Sequence, residues 1–210
     1  MATKKTKSLS SPTLEVLGIE FRRGRSILKG IDWRVERGQH WCVLGPNGCG
    51  KTSLINIITG YDSATDGSIE IDGSHYGDDD WCEVRKRVGI VASTLTVMLE
   101  SSEPVIDVIA SGRDAKLNLW EPPPESLRKE ARTLLKKFGC AYLAHALWGP
   151  LSQGEKQKVL ICRALMAKFR VLILDEPCAG LDPVAREHFL NWLQEISARA
   201  KEGKAVEPGV

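Results

Sequence analysis

Apolar and polar residues alternate from Thr13 onward. TLEVLGI, the arginine-rich RRGR and then SILKGIDWRVE predict two antiparallel strands joined by a tight turn. The short apolar run HWCVLG, residues 40–45, ends in glycine and predicts a third strand. Behind it, KTSLINIITG places Leu54, Ile55 and Ile58 at helical spacing and stops at Gly60. SIEIDG (68–73) and RVGIVAS (87–93) predict further strands. Between Pro104 and Pro150 the period changes: Leu127, Ala131, Leu134, Leu135 and Phe138 share one helical face, opened by the prolines at 122–124 and closed at Gly139. Residues 94–165 or so therefore read as a helical lobe. RVLILDEP (170–177) predicts a fully buried strand, and PVAREHFLNWLQEISARA a last amphipathic helix capped by Asp182. The pattern contains no internal repeat.

Length and charge narrow the function classes. With 210 residues the chain suffices for one globular domain or two small lobes, which excludes a peptide hormone or a disulfide-stapled miniprotein. Lys and Arg number 29 against 27 Asp and Glu, far from the basic excess of a domain that neutralises a nucleic-acid backbone, so no nucleic-acid partner is expected. The basic start MATKKTK leads into no apolar signal core, and no apolar run approaches the length of a membrane span. The expectation is a soluble cytoplasmic chain whose residues 1–12 form a disordered basic tail, followed by one domain over 13–210. Six cysteines without a C-x-x-C pair read as reduced thiols, and the dispersed histidines form no ligand cluster.

The chemistry concentrates in three short stretches. Gly45, Pro46, Asn47, Gly48, Cys49, Gly50, Lys51 and Thr52 fit G-x-x-x-x-G-K-[ST], a loop whose backbone N–H groups wrap a phosphate chain at a helix N-terminus. Its glycines permit the close, partly left-handed backbone that this needs. Lys51 is placed to reach the outer phosphates, and the Thr52 hydroxyl to join a magnesium shell. VLILDE supplies the other half: Asp175, at the carboxyl end of an apolar strand, can hold that metal, and Glu176 can polarise an attacking water. A strand-to-helix turn with a capping acid is the plainer account of DEP, and the phosphate loop outweighs it. In LSQGEKQKV, Ser152 and Glu155 make a capping box, which leaves Gly154 unexplained because glycine costs about 1 kcal/mol inside a helix. An approaching phosphate would account for it.

GPNGCGKTS (with Ser53 as its last residue), LSQGE, VLILDEP and AGLD, in that order, resemble the nucleotide-binding domain of ATP-binding cassette (ABC) proteins over nearly the whole chain from residue 13. The resemblance implies a P-loop NTPase α/β fold with a parallel core sheet, N-terminal antiparallel strands and a helical subdomain at about 94–165. It implies ATP and Mg²⁺ as ligands, with Glu176 and Lys51 catalytic and Thr52 and Asp175 on the metal. It further implies a head-to-tail dimer, in which Ser152 and Gly154 act on the nucleotide of a second ABC subunit and residues 179–182 bridge the two sites.

Three departures stand out. An aromatic residue expected against adenine is Arg22 here, whose planar guanidinium could stack on the base or merely carry surface charge. The glutamine expected after the VGIVA strand is Ser93. The switch histidine is missing, since His188 lies only six residues beyond Asp182, on a helix. Family members continue with a strand between the phosphate-loop strand and the DE strand, whereas only KEGKAVEPGV follows the last helix here. The expectation is a C-terminally truncated domain with unpaired backbone groups and impaired hydrolysis.

QHWCVLGPNG and DEPCAGLDPVARE look most similar to the ATPase subunits of molybdate and iron-complex importers. The leading expectation is a transporter ATPase, peripheral on the inner face of the membrane, that works as a homodimer on separate permease subunits. The alternatives are a soluble ABC ATPase related to nucleic acid or repair, and an ATP-binding module with little hydrolysis.

Overall fold

The computed structural model of the protein describes residues 12–201. The tail at 1–11 and the segment after Lys201, on which the disorder and truncation expectations fall, lie outside the described residues. The period-two segments form a hairpin, β1 (Leu14–Arg23) and β2 (Arg25–Val35), paired antiparallel from Leu14↔Val35 to Arg23↔Arg25. β3 (Asp66–Ile71) pairs antiparallel with the other edge of β1, and β4 (Ser74–His75) with β3, giving the order β2-β1-β3-β4. Alternation buries Leu14 and Val16, and after a bulge at Gly18 it resumes with Ile19 and Phe21 on the same face. There they meet Leu54, Ile57 and Ile58 of α1 (Lys51–Ile58) and Trp81 of α2 (Trp81–Arg85) in one apolar cluster.

A second and larger cluster is built around a two-stranded parallel sheet, β5 (Val88–Val91) and β6 (Val171–Leu174), in register from Val88↔Val171 to Val91↔Leu174. Over it lie α3 (Ser93–Met98), α4 (Val105–Ala110), α5 (Glu125–Lys137) and α6 (Gln153–Met166). Ala131, Leu134, Leu135 and Phe138 are buried on one face of the α5 region, as the heptad-like spacing requires. A bidentate pair crosses from α5 to α4, Arg128 Nε and Nη2 donating to Asp107 at 2.8 and 2.7 Å. α7 (Pro183–Lys201) is capped by Asp182, whose Oδ1 accepts from Ala185 N at 2.9 Å, and it packs Phe189 and Trp192 into the cluster.

Two expectations are corrected. Residues 40–45 form no strand: Trp41, Val43 and Leu44 are 57%, 48% and 87% exposed, and no described strand pairs with them. An extended apolar segment becomes a strand only where a neighbour accepts its backbone hydrogen bonds, and among the described residues none lies beside this one. For the same reason β6 is half-buried rather than fully buried along all four residues, because β5 covers only one of its edges.

Candidate nucleotide-binding site

The phosphate-loop sequence folds as a turn leading directly into α1. Cys49 N donates to Pro46 O at 3.3 Å, closing a turn over Asn47 and Gly48. Gly50 takes φ +101 as the N-cap of α1, where a Cβ would lie 2.8 Å from Leu28 Cδ2 of β2, so only glycine fits. The helix has no side-chain cap, which leaves the first-turn amides of Lys51, Thr52 and Ser53 for an anion. Lys51 Nζ turns back over the loop, donating to Gly45 O at 2.8 Å and Pro46 O at 3.1 Å, with Cys49 Sγ at 4.0 Å.

The decisive contact joins the two halves of the site. Thr52 Oγ1 donates to Asp175 Oδ2 at 3.0 Å, across 123 positions of chain. Asp175 is placed there because its N–H extends the β5–β6 ladder to Val91 O at 2.8 Å. A hydroxyl and a carboxylate oxygen at this separation make a hard oxygen donor pair suited to magnesium. Glu176 follows with φ +48, exposed, its carboxylate free of hydrogen bonds among the described residues.

The LSQGE segment opens α6 as a capping box: Glu155 N donates to Ser152 Oγ at 3.3 Å, and Ser152 N to Glu155 Oε2 at 2.9 Å. Ser152 Oγ also donates to Glu155 Oε2 at 2.7 Å, and this bond first, then the one from Ser152 N, holds the Glu155 carboxyl below its ordinary range. Gly154 has an intramolecular reason to be glycine, since a Cβ there would lie 2.4 Å from Gly180 O. Two further contacts clip α6 to the loop after β6: Gln157 Nε2 donates to Pro177 O at 2.8 Å and Lys158 Nζ to Asp182 Oδ2 at 2.7 Å. The ion pair raises the Lys158 pKa and lowers that of Asp182. Sequence reasoning singled out neither Gln157 nor Lys158, although both lie in quoted motifs, because only the fold reveals their partners.

The remaining candidates are dispersed. Arg22 is exposed near the end of β1 and paired with Glu20 at 3.0 Å, with no contact to the phosphate loop among the described residues. Ser93 opens α3 and is exposed. Its neighbour Thr94 reaches α1, donating to Asn56 Oδ1 at 2.9 Å. His188 is exposed on α7.

The family model described as ABC transporter matches residues 28–179, which span the phosphate loop, the capping box and Asp175. The chain belongs to the ABC transporter family. Within it, the chain is 39% identical over 177 residues to the uncharacterised ABC transporter ATP-binding protein YlmA of Bacillus subtilis (strain 168), covering 84% of this chain and 67% of that one. It is 35% identical over 170 residues to the sulfate/thiosulfate import ATP-binding protein CysA of Methylococcus capsulatus, covering 80% of this chain and 47% of that one. The fold matches that of the ATP-binding cassette MJ0796, solved as a dimer in a post-hydrolysis state with ADP and Pi, at TM-score 0.74 and 23% identity over 88% of this chain and 82% of that one. The α/β architecture with an antiparallel N-terminal sheet is thus that of ABC ATPase cassettes. Among the described residues no helix is long and apolar enough to cross a membrane.

Proposed function

We propose that this ABC protein is the ATP-hydrolysing subunit of an importer, working as a head-to-tail dimer on separate membrane subunits. The observation that carries the reading is the Thr52–Asp175 hydrogen bond at 3.0 Å, which assembles a metal-ready oxygen pair beside an uncapped helix N-terminus and a lysine. The import names of relatives such as CysA support the transport direction. The sequence around residues 39–48 and 175–187 resembles that of molybdate and iron-complex importer ATPase subunits, a likeness of the ATPase and not of the solute, which an ATPase subunit does not touch.

In this reading the amides of Lys51, Thr52 and Ser53 bind the phosphate chain, and the Lys51 ammonium leaves the Gly45 and Pro46 carbonyls to neutralise it. Magnesium, held by Thr52 and Asp175, supplies charge neutralisation at the outer phosphates. Glu176 accepts a proton from the attacking water, and its lack of hydrogen-bond partners among the described residues leaves both oxygens available for that. Ser152 and Gly154 face the nucleotide of the second subunit. Arg22 offers no ring to the base, so phosphate contacts dominate binding.

The reading is tested with two variants. Lys51→Ala should lose ATP binding or turnover, whereas Glu176→Gln should keep binding and accumulate as an ATP-dependent dimer in light scattering. Unchanged turnover in the first overturns the ATPase assignment, and a strictly monomeric second overturns the composite site.

A second reading, ATP binding with slow hydrolysis, is favoured by the exposure of Trp41, Val43 and Leu44. Among the described residues no sheet fixes the segment that leads into the phosphate loop, and a loosely held loop loses the positioning on which hydrolysis depends. Single-turnover hydrolysis slower than nucleotide binding by orders of magnitude would select this reading.

A further inference from the structure

Ser152, the N-cap of α6, has a single hydroxyl proton, and its place follows from the bonds around it. Ser152 Oγ and Glu155 Oε2 are 2.7 Å apart, and the serine is the donor because an ionised carboxylate has no proton to give. Glu155 is ionised, since its carboxyl is held below the ordinary range by this bond first and by Ser152 N second. A capping box needs only the two backbone donors, Glu155 N on Ser152 Oγ and Ser152 N on the Glu155 carboxylate. The bond from hydroxyl to carboxylate is a third, and it ties the serine proton to the serine's own helix.

Ser152 is nevertheless exposed, so an acceptor from outside can reach its hydroxyl. A phosphate oxygen arriving there has to win the proton from a carboxylate, and it meets that carboxylate's negative charge one hydrogen bond away. The cations of the same turns are engaged elsewhere. Lys158 Nζ lies 2.7 Å from Asp182 Oδ2, and Lys156 Nζ sits over the Trp148 ring, 5.4 Å from its centroid. Glu155 keeps partners when it yields the serine, because the Tyr142 hydroxyl also hydrogen-bonds to it and the Lys158 charge attracts it.

We propose that Glu155 is a positioning residue that acts through Ser152, competing with the second subunit's nucleotide for the serine proton and thereby setting the ATP concentration at which two subunits close. The inference rests on the reading of Ser152 as a donor to that nucleotide. At low ATP the hydroxyl stays on Glu155. Engagement by a phosphate exchanges one charge-assisted hydrogen bond for another, so each site gains little from its serine. A glutamine at position 155 keeps the capping box, because its amide oxygen still accepts from Ser152 N, yet it is a neutral and weaker competitor for the hydroxyl.

The test uses the full chain carrying Glu176→Gln, the variant expected to accumulate as a dimer, and reads by light scattering the Mg-ATP concentration that gives half-maximal dimer. Adding Glu155→Gln should lower that concentration roughly 3- to 10-fold, whereas loss of a merely structural cap would raise it or leave it alone. The gain should persist between about 0.05 and 0.5 M salt, because competition for one proton is short-ranged while repulsion between exposed charges is screened. It should vanish when Ser152→Ala is added to both proteins, since no proton is then left to compete for. A gain abolished by salt, or equally large without Ser152, overturns the proposal in favour of plain repulsion between Glu155 and the nucleotide. A dimeric Glu176→Gln protein whose ATP requirement Glu155→Gln does not lower overturns the inference alone. A Glu176→Gln protein that stays monomeric overturns the dimer reading and the inference with it.

Discussion

Replacing Gly154 by alanine separates two reasons for a glycine in the first turn of α6. A Cβ at this position would lie 2.4 Å from Gly180 O and 3.4 Å from Gly180 C. No carbon sits that close to a carbonyl oxygen, so the loop or the helix must shift. Forced contacts of this kind cost about 1–3 kcal/mol, and the upper half of that range applies because the obstacle is backbone. The loop is also pinned on both sides of Gly180, by Gln157 on Pro177 at 2.8 Å and Lys158 on Asp182 at 2.7 Å. Against this, alanine gains at most about 1 kcal/mol from its helix propensity, and less in a first turn. The balance is a loss of about 1–2 kcal/mol, or a Tm lower by roughly 2–8 °C in a chain of this size. Urea unfolding with an unchanged m-value, compared with wild type in the absence of nucleotide, measures it. Gly180→Ala is the companion: its φ of +74 costs about 1 kcal/mol, but its Cβ would meet only ordinary contacts from 3.4 Å outward. If Gly154→Ala is as stable as wild type or more so, the Gly180 approach is not what demands glycine. A nucleotide presented by another subunit would then be the remaining account.

The Lys158–Asp182 pair makes stability pH-dependent at both extremes. The Asp182 pKa is lowered in the fold, so its contribution is present at neutral pH and lost as pH falls through its folded value, below about 4. The Lys158 pKa is raised, so its contribution persists through neutral pH and is lost as pH rises through its folded value, above about 10. The urea midpoint of Asp182→Asn, which keeps a helix cap, should fall less than that of wild type from pH 5 to pH 3; parallel curves would show that the pair contributes nothing. Arg128→Met leaves Asp107 buried without its bidentate partner, whose side chain is 30% exposed, and should destabilise by about 2–3 kcal/mol in the same assay. A loss under about 0.5 kcal/mol would mean that solvent already screens the pair.

The elements that could be read from sequence are those whose cause is local. The hairpin at 14–35 follows from alternation, α5 from a single apolar face, and α6 from a capping box whose two members stand three residues apart. The phosphate loop is equally local, since it needs glycines and a helix start and little else. Residues 40–45 and β6 carry the same kind of apolar run, yet one becomes a half-buried strand and the other an exposed segment. The difference is a neighbour, which no window of sequence contains. Arg163 illustrates the same limit within a helix: between Cys162 and Ala164 it reads as an ordinary polar position on α6, and its burial follows from distant chain, Ser111 and the Lys116 carbonyl, packing over it. Gly154 was recognisable as anomalous, but the atom that explains it belongs to a loop 26 residues away, a distance evident from the numbers 154 and 180 and invisible as a contact.

The geometry around Glu176 ties these strands of reasoning together. A non-glycine residue at φ +48 is disfavoured by roughly 1 kcal/mol or more, and such a conformation persists only where the flanks impose it. On one side Asp175 is fixed twice, through its N–H to Val91 O at 2.8 Å and through its carboxylate to Thr52 at 3.0 Å. On the other side Pro177 O accepts from Gln157 of α6 at 2.8 Å. The backbone on either side of Glu176 is therefore held by the phosphate-loop helix and by α6. A displacement of the first turns of α6 bears on the Gln157–Pro177 and Lys158–Asp182 bonds and, through Pro177, on the backbone at Glu176. The two hydrogen bonds are short and directional, whereas Glu176 already occupies a strained conformation from which the common backbone basins are lower in energy. The residue proposed to accept the proton from water is consequently held by contacts from both the phosphate-loop helix and α6.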